Sequence, residues 1–173
     1  MAVYELEIRE ASHGDGGALV DFLNQVGRES DYMSLDQDGI GLTQDQMDQV
    51  IENFATSSNQ LYLLLLLEGD IVGLLCISAD QRYRVSHIGD LFMVVKKAYW
   101  NQGLASILME EALFWAKEAS PLLRLQLSVQ VRNQAALALY QKFGFEIEGQ
   151  QEAGARLDDG TLVPIYIMGL MLK

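Results

Sequence analysis

A single cysteine among 173 residues, Cys76, leaves no partner for an internal disulfide and too few ligands for a zinc cage of cysteines. Only two prolines occur, with no repeat and no low-complexity tract, so nothing marks a hinge between domains. The chain therefore reads as one domain over residues 1–173, long enough to bury a core without covalent staples. Cations are scarce as well: 12 Lys and Arg stand against 24 Asp and Glu, for a net charge of −12. Nucleic acid as a partner needs clustered basic residues on phosphates and is excluded on this ground. The acidic balance permits cationic partners but needs no more explanation than solubility. The longest apolar run, Leu61 to Leu67, is far too short to span a bilayer, and "MAVYELEIRE" lacks the basic-then-apolar layout of a secretory leader. A reduced cytoplasmic setting, with no membrane partner, is the expectation.

What is present divides by period. "YELEIREA" alternates as a first strand, and Leu19, Val20, Leu23 and Val26 recur at helical spacing over Asp15 to Val26. "TQDQMDQVIENFA" opens with a capping box, Thr43 answered by Gln46, with Met47, Val50, Ile51 and Phe54 as the buried stripe. "LYLLLLL", "EGD" and "IVGLLCISA" then read as a hairpin whose turn uses Gly69 for its positive φ. Cys76 lies inside that second strand and reads as a buried apolar residue rather than a nucleophile.

"SHIGDLFMVV" is a further strand. After it comes "YWNQGLASILMEEALFWAKE", a tight loop feeding a long helix. Glu110, Glu111, Lys117 and Glu118 fall on about a third of that helix's circumference; the apolar residues, Ile107, Phe114 and Trp115 among them, are expected to cover the remainder. "LRLQLSVQV" alternates strictly as a half-buried strand, "NQAALALYQKFGF" is a helix closed by Gly144, and two strands finish the chain around the turn "DDG". The order is β α α β β β α β α β β, an α/β fold of about seven strands in a mixed, mostly antiparallel sheet flanked by four helices.

A tight loop before a helix leaves several backbone N–H groups without intrahelical partners, and these together with the helix dipole attract an anion. "GLAS" stands where a nucleotide triphosphatase would carry Gly-Lys-Ser/Thr, and no GxGxxG is present, which argues against a triphosphatase and a dinucleotide enzyme.

On two motifs the chain resembles the GNAT superfamily of acyl-CoA dependent N-acetyltransferases, over nearly its whole length. "WNQGLA" occupies the place of the family's Arg/Gln-x-x-Gly-x-Gly/Ala loop, with Gly103 and Ala105 at the small positions; Trp100 replaces the usual Arg or Gln and Asn101 a common Gly. "NQAALALYQKFGF", Asn133 to Phe145, matches the second signature, an Asn opening a helix that ends in Leu-Tyr, two residues, Gly-Phe. The wording looks closest to the branch related to ribosomal-protein N-terminal and polyamine acetyltransferases.

The resemblance implies acetyl-CoA as cosubstrate, with no metal, and an amine-bearing small molecule or a protein N-terminus as acceptor; a homodimer is left open. By the same resemblance the backbone of Met93, Val94 and Val95 meets the pantetheine arm like an added strand. Asn101, Gln102, Gly103, Leu104, Ala105 and Ser106 hold the pyrophosphate, and Tyr140 is the general acid for the departing thiolate. Asn133 is either a cofactor contact or an ordinary N-cap. A base must free the acceptor amine, because an amine near pKa 10.4 is almost wholly protonated at pH 7. Asp90 stands where many relatives place a Glu, on the opposite pleat from Met93, and is either that base or a hydrogen-bonded strand carboxylate. Glu29, Asp31 and Tyr32 follow the first helix, where the family builds its acceptor site; a solvated loop is the other reading. The alternative to an enzyme is a GNAT-fold module that holds CoA without turnover.

Overall fold

The capping box forms as expected: the Thr43 hydroxyl accepts from the Gln46 N–H at 3.2 Å, and the Gln46 side chain returns to the Thr43 N–H at 2.9 Å. The helix it opens is α2, Gln44–Ala55, which follows β1, Leu6–Glu10, and α1, Gly16–Glu29. This computed structural model describes residues 3–173; Met1 and Ala2, which begin the stretch read above for a leader, lie outside the described residues. The hairpin follows as β2, Leu61–Leu67, and β3, Asp70–Ala79. Its turn places both Glu68 (φ 51°) and Gly69 (φ 84°) in the left-handed region, so Glu68 shares the role assigned to the glycine alone. The chain continues through β4, Ile88–Val95, α3, Leu104–Glu118, β5, Arg124–Gln130, α4, Gln134–Lys142, β6, Glu146–Arg156, and β7, Leu162–Met171.

The seven strands form one sheet in the order β1-β2-β3-β4-β5-β7-β6. All neighbours are antiparallel except β4 and β5, which run parallel. Successive residues of a strand point to opposite faces, and the leucine run of β2 shows the result. Leu61, Leu63 and Leu65 join the cluster under α3 and α4, while Tyr62, Leu64 and Leu66 join the cluster under α1 and α2. A strand buried on both faces has no polar side, which is why "LYLLLLL" does not alternate. No helix among the described residues is long and apolar enough to cross a membrane.

Three elements differ in detail. β1 is shorter than the alternating stretch, and α1 runs on past Val26 to Glu29. Phe114, expected to help cover the sheet, is 65% exposed. At 100° per residue it lies about 40° round from Glu110, inside the charged arc rather than beside it. In α2, Met47 and Ile51 are buried and Val50 and Phe54 partly so, but Asp48 is buried with them.

Asp48 accepts from the backbone N–H of Gly16 at 2.8 Å and of Gly14 at 3.1 Å, so α2 supplies the cap that α1 lacks at Asp15. A Cβ on Gly16 would stand 2.5 Å from the Asp48 carboxylate, which makes glycine the fitting residue there. Asp48→Ala orphans two backbone donors, one of them buried, and is expected to cost about 2 kcal/mol, or roughly 4–8 °C in melting temperature by calorimetry.

Candidate active site

β4 pairs with β3 from Ala79↔Gly89 through Gly73↔Val95, and β5 pairs with β7 along its whole length. Between themselves β4 and β5 pair only over Ile88↔Arg124, Gly89↔Leu125 and Asp90↔Gln126. Beyond Asp90 they splay. The fork leaves backbone donors and acceptors on the facing edges from Leu91 to Val95 and from Leu127 onward without a sheet partner, a slot that an extended amide-bearing chain can fill as an added strand. Met93, Val94 and Val95 lie on its β4 wall.

The β4 wall runs directly into the anion loop. A single 3₁₀ turn, Lys97–Tyr99, leads to Asn101 (φ 61°) and Gly103 (φ 80°), both left-handed, and α3 begins at Leu104. No side chain caps α3 and its first turn holds no acidic residue, so the N–H groups of Gly103, Leu104, Ala105 and Ser106 have neither an intrahelical acceptor nor a competing carboxylate. A Cβ built on Gly103 would meet nothing within 4 Å, so the space before the helix is open. Gln102 turns its amide back toward the Ala98 carbonyl at 3.5 Å. Trp100 donates through Nε1 to the Val95 carbonyl at 2.8 Å and ties the loop to the end of β4. The site fits an anion bound through backbone, as a CoA pyrophosphate requires.

Tyr140 sits in the cluster under α3 and α4, 8% exposed, edge-on to Phe145 at 5.8 Å between ring centres. Burial pushes its phenol up to about 12, so the proton is in place at neutral pH. Among the described residues no group pairs with the hydroxyl, yet it is not one of the sealed, partnerless polar atoms, since there are none. An unpaired hydroxyl at the edge of an apolar cluster is free to serve a ligand. Asn133 caps α4, accepting from the Ala136 N–H at 3.3 Å, so the N-cap role holds for its side-chain oxygen.

The three residues after the first helix part company. Glu29, the last residue of α1, accepts from the Lys97 N–H at 2.7 Å and from Gln25 at 2.9 Å, which places it on the anion loop. The Asp31 carbonyl accepts from Gln130 Nε2 at 2.7 Å, and its carboxylate pairs with Arg132, which holds the carboxyl below its ordinary range. Tyr32 lies under the Arg132 guanidinium, 4.4 Å from its ring centre, and is tilted by 39° to Trp100 at 6.4 Å between ring centres. The segment from Glu29 to Tyr32 is thus a strap from the end of β4 to the end of β5, across the open end of the fork. The Asp158 N–H, in the β6–β7 turn, reaches the same Asp31 carboxylate at 3.4 Å.

Asp90 closes the inner end of the fork. It shares its face with Phe92 and Val94, opposite Met93 and Tyr140, and is exposed, accepting from Gln126 Nε2 at 2.8 Å. Cys76 faces the α1–α2 cluster, and burial pushes its thiol up to about 12, so no thiolate forms at neutral pH.

The family model described as the Acetyltransferase (GNAT) family matches residues 27–145, more than half the chain, and its span contains the fork, the anion loop and Tyr140. The chain belongs to the GNAT acetyltransferase family. As a GNAT protein it falls in the acyltransferase class of enzymes. A solved GNAT acetyltransferase from Streptococcus pneumoniae is 54% identical, with a TM-score of 0.95 over 96% of this chain and 99% of that one. The L-amino acid N-acetyltransferase AaaT of Escherichia coli (strain K12) is 39% identical over 106 residues, 61% of this chain and 65% of that relative's length. A Salmonella typhimurium structure with its cofactor acetyl-CoA shares the GNAT fold at 18% identity, TM-score 0.82, over 98% of this chain and 95% of that one.

Several residues that build this candidate site were not singled out in the sequence: Trp100 as a tie, Gln130 and Arg132 as anchors of the strap, and Gln126 on Asp90. The one signal available was Gln126, Ser128 and Gln130 on a single face of β5, three polar residues that read only as a solvent side. Gln130 is in fact 4% exposed, with both ends of its amide engaged.

Proposed function

We propose that the protein transfers an acetyl group from acetyl-CoA to a primary amine by direct attack within a ternary complex, without a metal. The fork between β4 and β5 carries this reading, because it opens beside an uncapped helix N-terminus and ends on a carboxylate. Acetyl-CoA supplies the reactive thioester. The backbone of Met93 to Val95 aligns the donor arm, and the N–H groups of Gly103 to Ser106 hold its pyrophosphate. Asp90, directly or through water, takes the proton that the acceptor ammonium must lose; the amine nitrogen bonds to the carbonyl carbon as the carbon–sulfur bond breaks, and Tyr140 protonates the leaving sulfur. The name of the Escherichia coli relative favours the α-amine of an L-amino acid as acceptor, ahead of a polyamine or a protein N-terminus.

Thiol release from acetyl-CoA over a panel of L-amino acids, spermidine and N-terminal peptides tests this reading; no release with any of them would leave only CoA binding. In a thermal-shift assay, acetyl-CoA and CoA are expected to raise the melting temperature while ATP and NAD at equal concentration do not, since only a ligand of the folded state adds RT ln(1 + [L]/Kd). Equal stabilisation by ATP would remove the CoA assignment.

A further inference from the structure

A chain of four side chains crosses the sheet face that carries Asp90. Gln126 Nε2 donates to Asp90 Oδ1 at 2.8 Å, Arg124 Nε donates to Gln126 Oε1 at 3.4 Å, and both terminal nitrogens of Arg124 grip Glu148, one of them at 2.7 Å. The chain runs from β4 across β5 and over β7 to β6. It passes above Gly169, where a Cβ would stand 2.5 Å from the Glu148 carboxylate and 2.6 Å from the Arg124 guanidinium. The register sets this path: Asp90 opposes Gln126 at the last pair before the fork, and Gln126 opposes Gly169.

An unheld glutamine can present either end of its amide. Here the choice is forced, because arginine only donates and a carboxylate only accepts. Glu148 fixes Arg124, Arg124 can meet only the oxygen of Gln126, and the Gln126 nitrogen is left for Asp90. One oxygen of Asp90 is thereby engaged in a single orientation, and the carboxylate is held still at the point where β4 and β5 separate.

We propose that Gln126 is a positioning residue for the acceptor-side chemistry, acting through Asp90, with Arg124 and Glu148 fixing the sense of its amide. This rests on the reading of Asp90 as the group that takes the acceptor proton. A network that served only to brace the sheet would change stability without caring whether Asp90 is present.

The test is a double-mutant cycle on Gln126→Leu and Asp90→Asn, with kcat measured on the fastest acceptor among the standard L-amino acids, spermidine and N-terminal peptides, and CoA affinity measured separately by calorimetry. Gln126→Leu alone is expected to lower kcat about tenfold, within the range a displaced catalytic group produces, with CoA affinity unchanged. In the Asp90→Asn background the same substitution is expected to cost nothing further. Glu148→Ala, exposed and remote from Asp90, is expected to lower kcat about threefold with an unaltered melting temperature, a smaller loss because Arg124 and Gln126 remain. A Gln126→Leu loss that persists undiminished in the Asp90→Asn background would overturn the proposal and leave the base assignment standing. Full kcat in Asp90→Asn would overturn both, as would the absence of thiol release with every L-amino acid, spermidine and N-terminal peptide tested.

Discussion

Tyr140→Phe is expected to lower kcat about a hundredfold or more and to leave the CoA dissociation constant nearly unchanged. The substitution removes one hydroxyl and keeps the ring, so the edge-on contact with Phe145 and the surrounding apolar packing persist. The hydroxyl has no partner among the described residues, so its removal strands no buried donor or acceptor and the fold has little to lose. What goes is a proton held ready by a phenol that burial keeps neutral, needed chiefly as the carbon–sulfur bond breaks. Steady-state kinetics on a confirmed acceptor, with CoA affinity from calorimetry, reads the two effects apart. An unchanged kcat would take Tyr140 out of the mechanism; a large loss of affinity with normal turnover at saturation would make it a binding residue instead.

Gly103→Val is expected to abolish the thermal shift given by CoA while the protein stays folded. The cost to the fold is bounded: a β-branched residue held at φ 80° is strained by roughly 1–3 kcal/mol, against roughly 5–15 kcal/mol of ordinary domain stability. Apart from its two chain neighbours nothing lies within 4 Å of the added Cβ, so the side chain is directed into the open space ahead of α3. That space is where an anion must come to reach the N–H groups of Gly103 to Ser106, and the valine would hold it off. Gly103→Ala is the control, since it carries most of the φ strain with less bulk, and it should retain part of the shift. CoA binding at full strength in the valine variant would show that the pyrophosphate sits elsewhere.

Most of the fold could be read because its rules are local. The Thr43–Gln46 box, the turn at Gly69, the alternation of Leu125, Leu127 and Val129 and the Asn133 cap each depend on residues within a few positions of one another. The loop from Asn101 to Ser106 and Tyr140 were legible by their resemblance to family motifs. What escaped depends on register between distant segments. Gln126 lies 36 positions from Asp90 and Arg124 lies 24 from Glu148, and only the strand order β4-β5-β7-β6 brings the four together. Asp48 has no place in the apolar stripe of α2, and its partners are 32 and 34 positions away. Glu29 was grouped with Asp31 and Tyr32 by adjacency, but the end of α1 turns it toward Lys97, 68 positions on.

With the acceptor seated against the strap from Glu29 to Tyr32, as the proposed ternary complex would have it, the two substrates' affinities would depend on one another. Glu29 fastens it to Lys97 before α3, Asp31 fastens it to Gln130 and Arg132 at the end of β5, and Tyr32 touches both Trp100 and Arg132, with the β6–β7 turn leaning on the same Asp31. Any freedom the strap loses when the donor loop fills is freedom the acceptor need not remove again. By linkage the debt runs both ways: whatever factor a saturating donor adds to acceptor affinity, a saturating acceptor returns to the donor.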